Sequence, residues 1–270
     1  MARPLVIAHR GASHTIPEHT SAAYEQALLD GADGLEADVR LTVDGHLVCV
    51  HDRRVERTSD GNGVISTMTL AQLEVLDFGS WKAQQLAELP DEMEDDVSTH
   101  RVLTLERLLA LAHEAARPVH LLIETKHPTR YAGYVEQRLS EVLHEHGLDG
   151  TDAAASQHVR VTLMTFSEVA LMRMRRLTPQ LPLVFLMDRV PMRFRSGQLP
   201  RGVGIAGPGV HILREHPHYA SRVQQQGHRV FVWTVDDPED VALVAGMGVD
   251  AIISNRPGAV VRQLDEARPG

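Results

Sequence analysis

The sequence contains one cysteine, Cys49, in 270 residues, and it has few aromatic residues and no long apolar run. A single cysteine cannot form a disulfide within the chain, and its place in the apolar run HLVCVHD favours a buried structural thiol over a nucleophile. No stretch approaches the length of a membrane span, and the start MARPLVIAHRG has too few apolar residues for a secretory signal. We therefore expect a cytoplasmic protein with no integral membrane association.

The chain also has no net positive charge, because 36 acidic residues outnumber 27 basic residues and give a formal net charge of −9. This balance argues against nucleic acid or an anionic membrane surface as a partner, since either needs a basic binding surface. A small molecule is the expected partner. Any phosphate group that it carries must be bound by a few well-placed cations.

Eight apolar runs bounded by turn residues indicate strands, and stretches with helical spacing lie between most of them. The runs cover residues 4–9, 34–41, 119–126, 160–166, 181–187, 202–209, 229–235 and 250–254. Helical crossovers are what parallel strands require. The alternation predicts an α/β fold of the (β/α)8 TIM barrel class, with an open α/β sheet as the alternative. We expect one domain over residues 1–270.

The interval from about 53 to 103 breaks this alternation, because it contains no clear parallel strand. We interpret it as a small insertion after the second strand. Its acidic run is most simply a solvated loop, and the alternative is a role in attracting a cationic head group. The residues of this run are Asp91, Glu92, Glu94, Asp95 and Asp96.

Acidic residues stand near the ends of the predicted strands, where a TIM barrel carries its reactive groups. Period-two alternation puts Glu36 and Asp38 on one face of the second strand, and Glu124 lies near the end of the third. Burying ionised carboxylates is costly unless a cation or hydrogen-bond donors offset their charge. The three carboxylates therefore predict a divalent metal, and oxygen ligation favours Mg²⁺ or Ca²⁺ over zinc. The alternative is a set of ion pairs: Glu36 or Asp38 with Arg40, and Glu124 with Lys126.

Two of the sixteen histidines, His9 and His51, follow apolar strands and would face these carboxylates. One imidazole can accept a proton while the other delivers one, which acid–base cleavage of a phosphate ester requires. The histidines of HEHG (144–147) lie on a predicted helix end, and those of EHPHY (215–219) lie in a loop broken by proline. We assign no chemistry to either group.

The first strand runs directly into the segment HRG. Gly11 permits a sharp turn there, so that His9 and Arg10 can both face a phosphate. Pro17 and Thr20 then open the first helix.

A series of motifs runs along nearly the whole chain. They are HRG (9–11), PEHT (17–20), GADGLEADVRLTVDGHLVCVHD (31–52), RTSDGNG (57–63), LDFGSW (76–81), TLERLLAL (104–111), IETK (123–126), VWTV (232–235) and GVDAIISNRP (248–257). In this order and spacing, they resemble the glycerophosphodiester phosphodiesterase family. The resemblance implies a TIM barrel with a small insertion after the second strand.

The resemblance also implies roles for individual residues. It implies a divalent metal held by Glu36, Asp38 and Glu124, with a general acid/base pair formed by His9 and His51. The substrate-binding residues that it implies are Arg10 and Lys126 on the phosphate, Trp233 near the glycerol, and Glu18 in a supporting role.

Three positions depart from the residues that are usual in the family. His19 stands where asparagine is usual, and Ser254 and Asn255 stand where threonine and aspartate are common. The change at 19 alters the local hydrogen bonding and bears on substrate preference. We expect position 255 to tolerate change, because it lies outside the proposed shell of reacting groups.

These features predict metal-dependent hydrolysis of glycerophosphodiesters to glycerol 3-phosphate and an alcohol, with either water or the substrate's glycerol 2-hydroxyl as nucleophile. One alternative is a lysophospholipase D-like phosphodiesterase on the same barrel. Another is a barrel that binds a glycerophosphoryl ligand without catalysis, although no histidine or metal carboxylate is lost. An unrelated phosphosugar enzyme is disfavoured, because WTVDDPED and SNRPGAV lack the glycine-rich phosphate site expected after strands seven and eight.

Overall fold

Eight parallel strands form a closed barrel in the computed structural model of this protein, which describes residues 3–85, 100–151 and 158–267. In chain order the strands are β1 (Leu5–His9), β2 (Gly34–Leu41), β3 (Leu47–Cys49), β4 (Val119–Thr125), β5 (Val159–Thr165), β6 (Leu183–Met187), β7 (Ile205–Pro208), β8 (Arg229–Val232) and β9 (Ala251–Ser254). β3 pairs antiparallel with β2 and stands outside the ring. β1 closes the ring by pairing with both β2 and β9. The predicted TIM barrel is confirmed, and the open sheet is excluded.

Helices connect the strands and cover the outside of the barrel. Those in the described residues are α1 (Ser21–Leu29), α2 (Leu70–Glu74), α3 (Ser80–Gln85), α4 (Leu105–Glu114), α5 (Tyr134–Glu145), α6 (Glu168–Leu177), α7 (Val210–Glu215), α8 (His218–Gln225), α9 (Pro238–Gly246) and α10 (Pro257–Glu266). The hydroxyls of Thr20, Thr104 and Ser167 cap α1, α4 and α6 by accepting a backbone N–H three residues on. The predicted start of the first helix after Thr20 is therefore confirmed.

Alternate strand residues face the inside and the outside of the barrel. The inside is filled by an apolar cluster of Ile7, Leu122, Met164, Val184, Leu186, Ile205, Phe231, Ala251 and Ile253. Two residues beyond Ile7 and Leu122, the next inward positions are His9 and Glu124. Polar groups therefore begin directly above the apolar core, at the C-terminal end of the barrel.

The predicted insertion lies between β3 and α4, and its described residues contain no parallel strand. It has an apolar cluster of its own, formed by Val48, Val50, Val55, Ile65, Leu73, Phe78 and Val102. Cys49 of β3 is a buried free thiol, as predicted. The predicted acidic loop at 91–96 lies outside the described residues. The single domain over 1–270 stays a prediction.

None of the helices in the described ranges combines the length and the apolar character needed to cross a membrane.

Candidate active site

The loop after β1 carries His9 and Arg10 to the C-terminal end of the barrel. Arg10 has a left-handed backbone, with φ of 59°, which costs free energy in a residue other than glycine. Its N–H donates to the carbonyl and to Oε2 of Glu36, each at 3.1 Å, and these bonds hold the strained conformation. Gly11 follows at φ 88°, and a Cβ there would lie 2.6 Å from the backbone of Ala23. The glycine turn predicted after Arg10 is therefore confirmed.

Three carboxylates from β2 and β4 meet at this end of the barrel. Glu36 and Asp38 come from one face of β2, and Glu124 lies beside Asp38 in the register of β2 with β4. One oxygen of each lies within 4.8 Å of the others, and each residue is at most 5% exposed. Oδ1 of Asp38 forms an ion pair with Nζ of Lys126 at 3.2 Å but accepts no well-aligned hydrogen bond from the described residues. A buried cluster of three carboxylates fits the oxygen ligation of a hard divalent cation.

Burial and mutual repulsion set the charge of this cluster. Burial and the neighbouring Asp38 raise the pKa of Glu36 well above its usual range, and that of Glu124 to about 8. Burial also opposes ionisation of Asp38, but Arg10 and a hydrogen bond from His19 hold the pKa of Asp38 well below its usual range. Full ionisation of the three groups is therefore unfavourable without a further cation.

Lys126 supplies part of the positive charge. Its Nζ lies 2.8 Å from Oε1 of Glu124 and 3.2 Å from Oδ1 of Asp38. The ion pair of Glu124 with Lys126, predicted as an alternative to a metal, is therefore present. The other predicted pair does not form among the described residues, because Nε and Nη2 of Arg40 donate to the carbonyl of His51 at 2.9 and 2.7 Å. Lys126 and Arg10, whose Nε lies 3.0 Å from Oδ2 of Asp38, supply two positive charges against three carboxylates.

A chain of hydrogen bonds fixes the tautomer of His9. Nδ2 of Asn255 donates to Asp236 at 2.6 Å, so Oδ1 of the amide faces Nδ1 of His9, at 2.7 Å. Ser13 also donates to this Oδ1, at 2.8 Å. Nδ1 of His9 therefore carries the proton, and Nε2 presents a lone pair. Burial and the charge of Arg10 lower the pKa of His9 to about 3, so the imidazole is neutral at pH 7.

This contact argues against the expected tolerance of position 255. Sequence reasoning placed Asn255 outside the shell of reacting groups, but its side chain contacts His9 directly. Asp236 anchors the contact, because Oδ1 also accepts from the Ser254 hydroxyl at 2.9 Å and from the Asn255 N–H at 2.8 Å. Asp236 was not among the predicted site residues, and its one sequence signal is its position directly after the VWTV motif.

His51 is oriented by a carboxylate instead of an amide. Its Nδ1 lies 2.6 Å from Oδ1 of Asp52, whose Oδ2 accepts from Nε of Arg57 at 2.5 Å. Burial lowers the pKa of His51, and the Asp52 carboxylate opposes that shift by favouring the charged imidazole. His51 is therefore better placed to carry a proton than His9, whose partner is a neutral amide.

Glu18 joins the loops that carry the two histidines. Its Oε1 accepts from Arg10 at 3.0 Å and from Arg57 at 2.7 Å, and its Oε2 accepts from Arg57 at 2.8 Å. Although burial opposes ionisation, the hydrogen bonds from Arg57 and the charge of Arg10 lower the pKa of Glu18. Its side chain thus orients Arg10. We call this series of ion pairs, Arg10–Glu18–Arg57–Asp52, the loop bridge.

His19, at a position where the resemblance leads us to expect asparagine, supports the carboxylate cluster. Its backbone is left-handed, with φ of 62°, and its N–H donates to the carbonyl of Arg10 at 3.0 Å. Nε2 lies 3.0 Å from Oδ2 of Asp38, and Nδ1 lies 2.8 Å from the hydroxyl of Tyr24. That hydroxyl lies 3.0 Å from the carbonyl of Glu36. A buried imidazole and a phenol therefore orient β2 and its carboxylates.

A cavity of about 580 Å³ opens above the apolar core, with one polar and one apolar wall. The polar wall consists of His9, Arg10, Glu36, His51, Glu124 and Lys126. The apolar wall consists of Met164, Phe166, Leu186, Trp233 and Ile253. Nε1 of Trp233 donates to the carbonyl of Gly207 at 2.7 Å, and the Phe166 ring packs edge-on against it with 5.4 Å between centroids. Asp38 and Glu18 do not line the cavity, but both contact Arg10, which does.

Known proteins share this sequence pattern along most of the chain. The model of the glycerophosphoryl diester phosphodiesterase family matches residues 9–259. A Mycobacterium tuberculosis protein named probable glycerophosphodiester phosphodiesterase 1 is 44% identical over 267 residues, which cover 98% of this chain and 94% of that protein. The glycerophosphodiester phosphodiesterase of Bacillus subtilis (strain 168) is 31% identical over 94% of this chain and 84% of its own.

Solved structures share the barrel. An Oleispira antarctica phosphodiesterase, in complex with the product sn-glycerol-3-phosphate, has a TM-score of 0.82 and 25% identity, with 97% of both chains covered. The glycerophosphodiester phosphodiesterase of Agrobacterium tumefaciens has a TM-score of 0.72 and 23% identity, covering 96% of this chain and 99% of its own, and it supports the fold. Because the family model spans most of the sequence and the curated relatives agree with it, the chain belongs to the glycerophosphoryl diester phosphodiesterase family.

Proposed function

We propose that the protein hydrolyses glycerophosphodiesters to glycerol 3-phosphate and a free alcohol, with the help of a bound divalent metal. The observation that carries the proposal is a buried cluster of three carboxylates, two of which line the same cavity as two differently oriented histidines. Membership of the family supports the substrate class. The Oleispira relative in complex with sn-glycerol-3-phosphate supports the product.

Glu36, Asp38 and Glu124 would hold the metal, and Mg²⁺ or Ca²⁺ suits their donor set of oxygens. When bound, the ion supplies positive charge for the phosphoryl oxygens. Lys126 and Arg10 line the same cavity and would bind the remaining phosphate oxygens. Arg10 enters the site in a fixed orientation, because its Nη1 stays on Glu18.

The hydrogen bonds of the two histidines support different roles in proton transfer. Nε2 of His9 accepts the proton of the attacking oxygen, which belongs to water or to the substrate's glycerol 2-hydroxyl. His51, paired with Asp52, donates its proton to the oxygen of the departing alcohol. Phosphorus thus gains one bond to the attacking oxygen and loses one to the leaving oxygen. If the 2-hydroxyl attacks, a cyclic phosphate forms, and water opens it with the two histidines in reversed roles.

The apolar wall is the surface for the glycerol carbons. Trp233 follows β8, and its indole is held by the bond to Gly207. β8 stands three strands away from β2 around the ring, across β9 and β1. A glycerol unit packed on Trp233 therefore lies on the side of the cavity away from the hairpin of β2 and β3, which carries His51.

Two histidine variants test the proposal with glycerophosphodiester substrates and added Mg²⁺ or Ca²⁺. His9→Gln and His51→Gln should each lower kcat by roughly 10² to 10⁴-fold, since each removes one proton transfer. His144→Gln, on the exposed end of α5, is the matched control and should keep the wild-type kcat. Calorimetric metal binding should survive in all three variants. Near wild-type turnover of either site variant would contradict the assignment.

The leaving group separates the two roles. A glycerophosphodiester of p-nitrophenol releases an anion that needs no proton, so it should restore much of the activity of His51→Gln and little of that of His9→Gln. Equal restoration of both variants would overturn the assignment of acid and base. A higher specificity constant for lysophosphatidylcholine than for glycerophosphocholine would instead indicate the lysophospholipase D-like activity.

A further inference from the structure

A second cavity lies beside the first, between the insertion and the loop that joins β4 to α5. Resting on the proposed function, we propose that this cavity receives the departing alcohol and selects alcohols that carry an additional anionic group, such as a phosphate ester. Four cationic side chains line it: Arg40, Arg53, Lys126 and Arg130.

The charged side chains that line this cavity are all basic. Its lining, which consists of described residues, includes no aspartate and no glutamate, although acidic residues exceed basic ones by nine in the whole chain. Arg40 is partly buried, and no carboxylate of the described residues lies within ion-pair distance of it. Two of its nitrogens donate to the carbonyl of His51. Arg53 and Arg130 are exposed and likewise form no ion pair with the described residues. Cations that lack internal partners are suited to an external anion.

The position of this cavity fits the leaving side of the reaction. Lys126 lines both cavities and stands between them, with its Nζ on Glu124. Arg40 holds the carbonyl of His51, the residue that donates a proton to the departing oxygen, and Arg53 follows His51 by two residues. The glycerol lies on the opposite side, on Trp233. An alcohol that leaves towards His51 therefore enters the second cavity.

The same lining disfavours a cationic alcohol. A quaternary ammonium group is recognised by the open faces of aromatic rings. The aromatic ring in this cavity belongs to Tyr131, and the Arg130 guanidinium already lies over it, 5.7 Å from its centroid. Choline would meet like charges and no free aromatic face. A phosphate would meet guanidinium groups, which bind it with two parallel hydrogen bonds.

The experiment compares two substrates that differ in one phosphate, glycerophosphoinositol and glycerophosphoinositol 4-phosphate. With metal-loaded protein at low ionic strength, kcat/KM should be about tenfold higher for the 4-phosphate, the size expected from a few partly exposed charge pairs. Raising the ionic strength should shrink this ratio, because exposed charges are screened. Glycerophosphocholine should have the lowest kcat/KM of the three substrates.

Arginine variants locate the effect. Arg53→Gln and Arg130→Gln should each reduce the ratio, and the double variant should remove most of it. Arg189→Gln, another exposed arginine that lines a different cavity, is the matched control and should leave the ratio unchanged. A ratio that survives in the double variant would overturn the assignment of this cavity.

A binding measurement separates this inference from the proposed function. In the metal-loaded His51→Gln variant, calorimetry should give a lower Kd for glycerophosphoinositol 4-phosphate than for glycerophosphoinositol, whether or not the wild type turns either over. If the two Kd values differ in this way but the wild type turns over neither substrate, the result contradicts the proposed function and leaves the inference intact. Equal Kd and equal kcat/KM for the pair, or a preference for the choline diester, would overturn the inference alone.

Discussion

At the residue scale, the proposed role of His9 as a base depends on Asn255, a residue 246 positions further along the chain. An imidazole can act as a base only at the nitrogen that lacks a proton, and here the amide of Asn255 decides which nitrogen that is. Asp236 in turn decides which end of the amide faces His9. Asn255 is therefore a positioning residue for the proposed base.

Exchanging the two partners tests this arrangement. Asn255→Ala should lower kcat roughly 10 to 10³-fold, because His9 is no longer held in one tautomer. The double variant Asp236→Asn with Asn255→Asp keeps the pattern of donors and acceptors, so it should recover much of that kcat. It also puts a carboxylate beside His9, which raises the pKa of His9 from about 3. A base is active when unprotonated, so the acidic limb of the pH profile of kcat/KM should move to higher pH.

The result that would contradict this reading is a double variant whose kcat recovers while its acidic limb stays at the wild-type position. A purely structural role for Asn255 predicts that outcome. Asn255→Asp alone serves as the mismatched control. Nδ2 of Asn255 now donates to Asp236 at 2.6 Å, so this variant would place two carboxylates against each other at that distance. Its thermal stability should therefore be lower than that of the double variant.

The sequence predicts the reacting groups better than the groups that orient them. His9 and Glu124 are predictable because strand periodicity places residues near a strand end on a known face of the barrel. Glu36 is the third residue of β2, and it reaches this end of the barrel because it lies beside His9 in the register of β1 with β2. Asn255 and Arg57 lie in loops, and their contacts depend on loop conformations that no periodicity describes. Asn255 lies 246 residues from His9 in the sequence, and Arg57 lies 39 residues from Glu18. A pattern of neighbouring residues therefore does not reveal these contacts.

At the element scale, the insertion supports one half of the proposed proton-transfer pair. His51 and Asp52 follow β3, which stands outside the ring of eight strands. The small apolar cluster of the insertion packs around this segment, with Val50 on one side of His51 and Val55 on the other in sequence. The position of His51 therefore depends on the packing of the insertion as well as on the barrel.

Leu73→Ala tests this dependence, because Leu73 of α2 is fully buried in the cluster of the insertion. Truncation of a buried leucine costs about 2 to 5 kcal/mol, and here the loss should fall on the insertion. We expect faster amide hydrogen exchange over residues 54–78 and a lower kcat, with calorimetric metal binding unchanged. Leu108→Ala in α4, equally buried against the barrel, is the matched control and should lower the melting temperature without that local exchange. Unaltered exchange over 54–78 in Leu73→Ala would contradict the prediction.

The elements themselves are predictable from apolar runs, and the run for β2, 34–41, has the bounds that the structure shows. The runs for β7 and β8, 202–209 and 229–235, are longer than the strands, Ile205–Pro208 and Arg229–Val232. Apolar content continues past the point at which the ladder of hydrogen bonds ends. Trp233, for example, forms an isolated bridge with Gly209 and turns its side chain to the cavity.

At the scale of the whole molecule, the carboxylate cluster links metal binding to stability. The three carboxylates repel one another in the absence of a metal, so a cation that binds the folded state alone should stabilise it. At a free concentration of 100 times the Kd, the gain is about 2.7 kcal/mol. For a chain of this size, that corresponds to a rise in melting temperature of roughly 5 to 10 °C.

Thermal unfolding with and without Mg²⁺ or Ca²⁺ measures this effect. Glu124→Gln should lose most of the rise, because it removes one ligand and part of the repulsion, and a chelator should reverse the rise in the wild type. Glu56→Gln, a change at an exposed carboxylate of the insertion, is the control and should keep the rise. An equal rise in the wild type and in Glu124→Gln would contradict the metal site.

The hairpin of β2 and β3 has a consequence for how such an enzyme can diversify. The barrel ring supplies the proposed metal ligands and the proposed base, whereas the segment from β3 to α4 supplies the proposed acid and part of the cationic cavity. Exchanging that segment between family members would alter which products are released while the hydrolytic scaffold stays intact. The loop bridge sets the compatibility rule for such a transplant: the incoming segment must bring a guanidinium that reaches Glu18, since otherwise the carboxylate that orients Arg10 loses its own support.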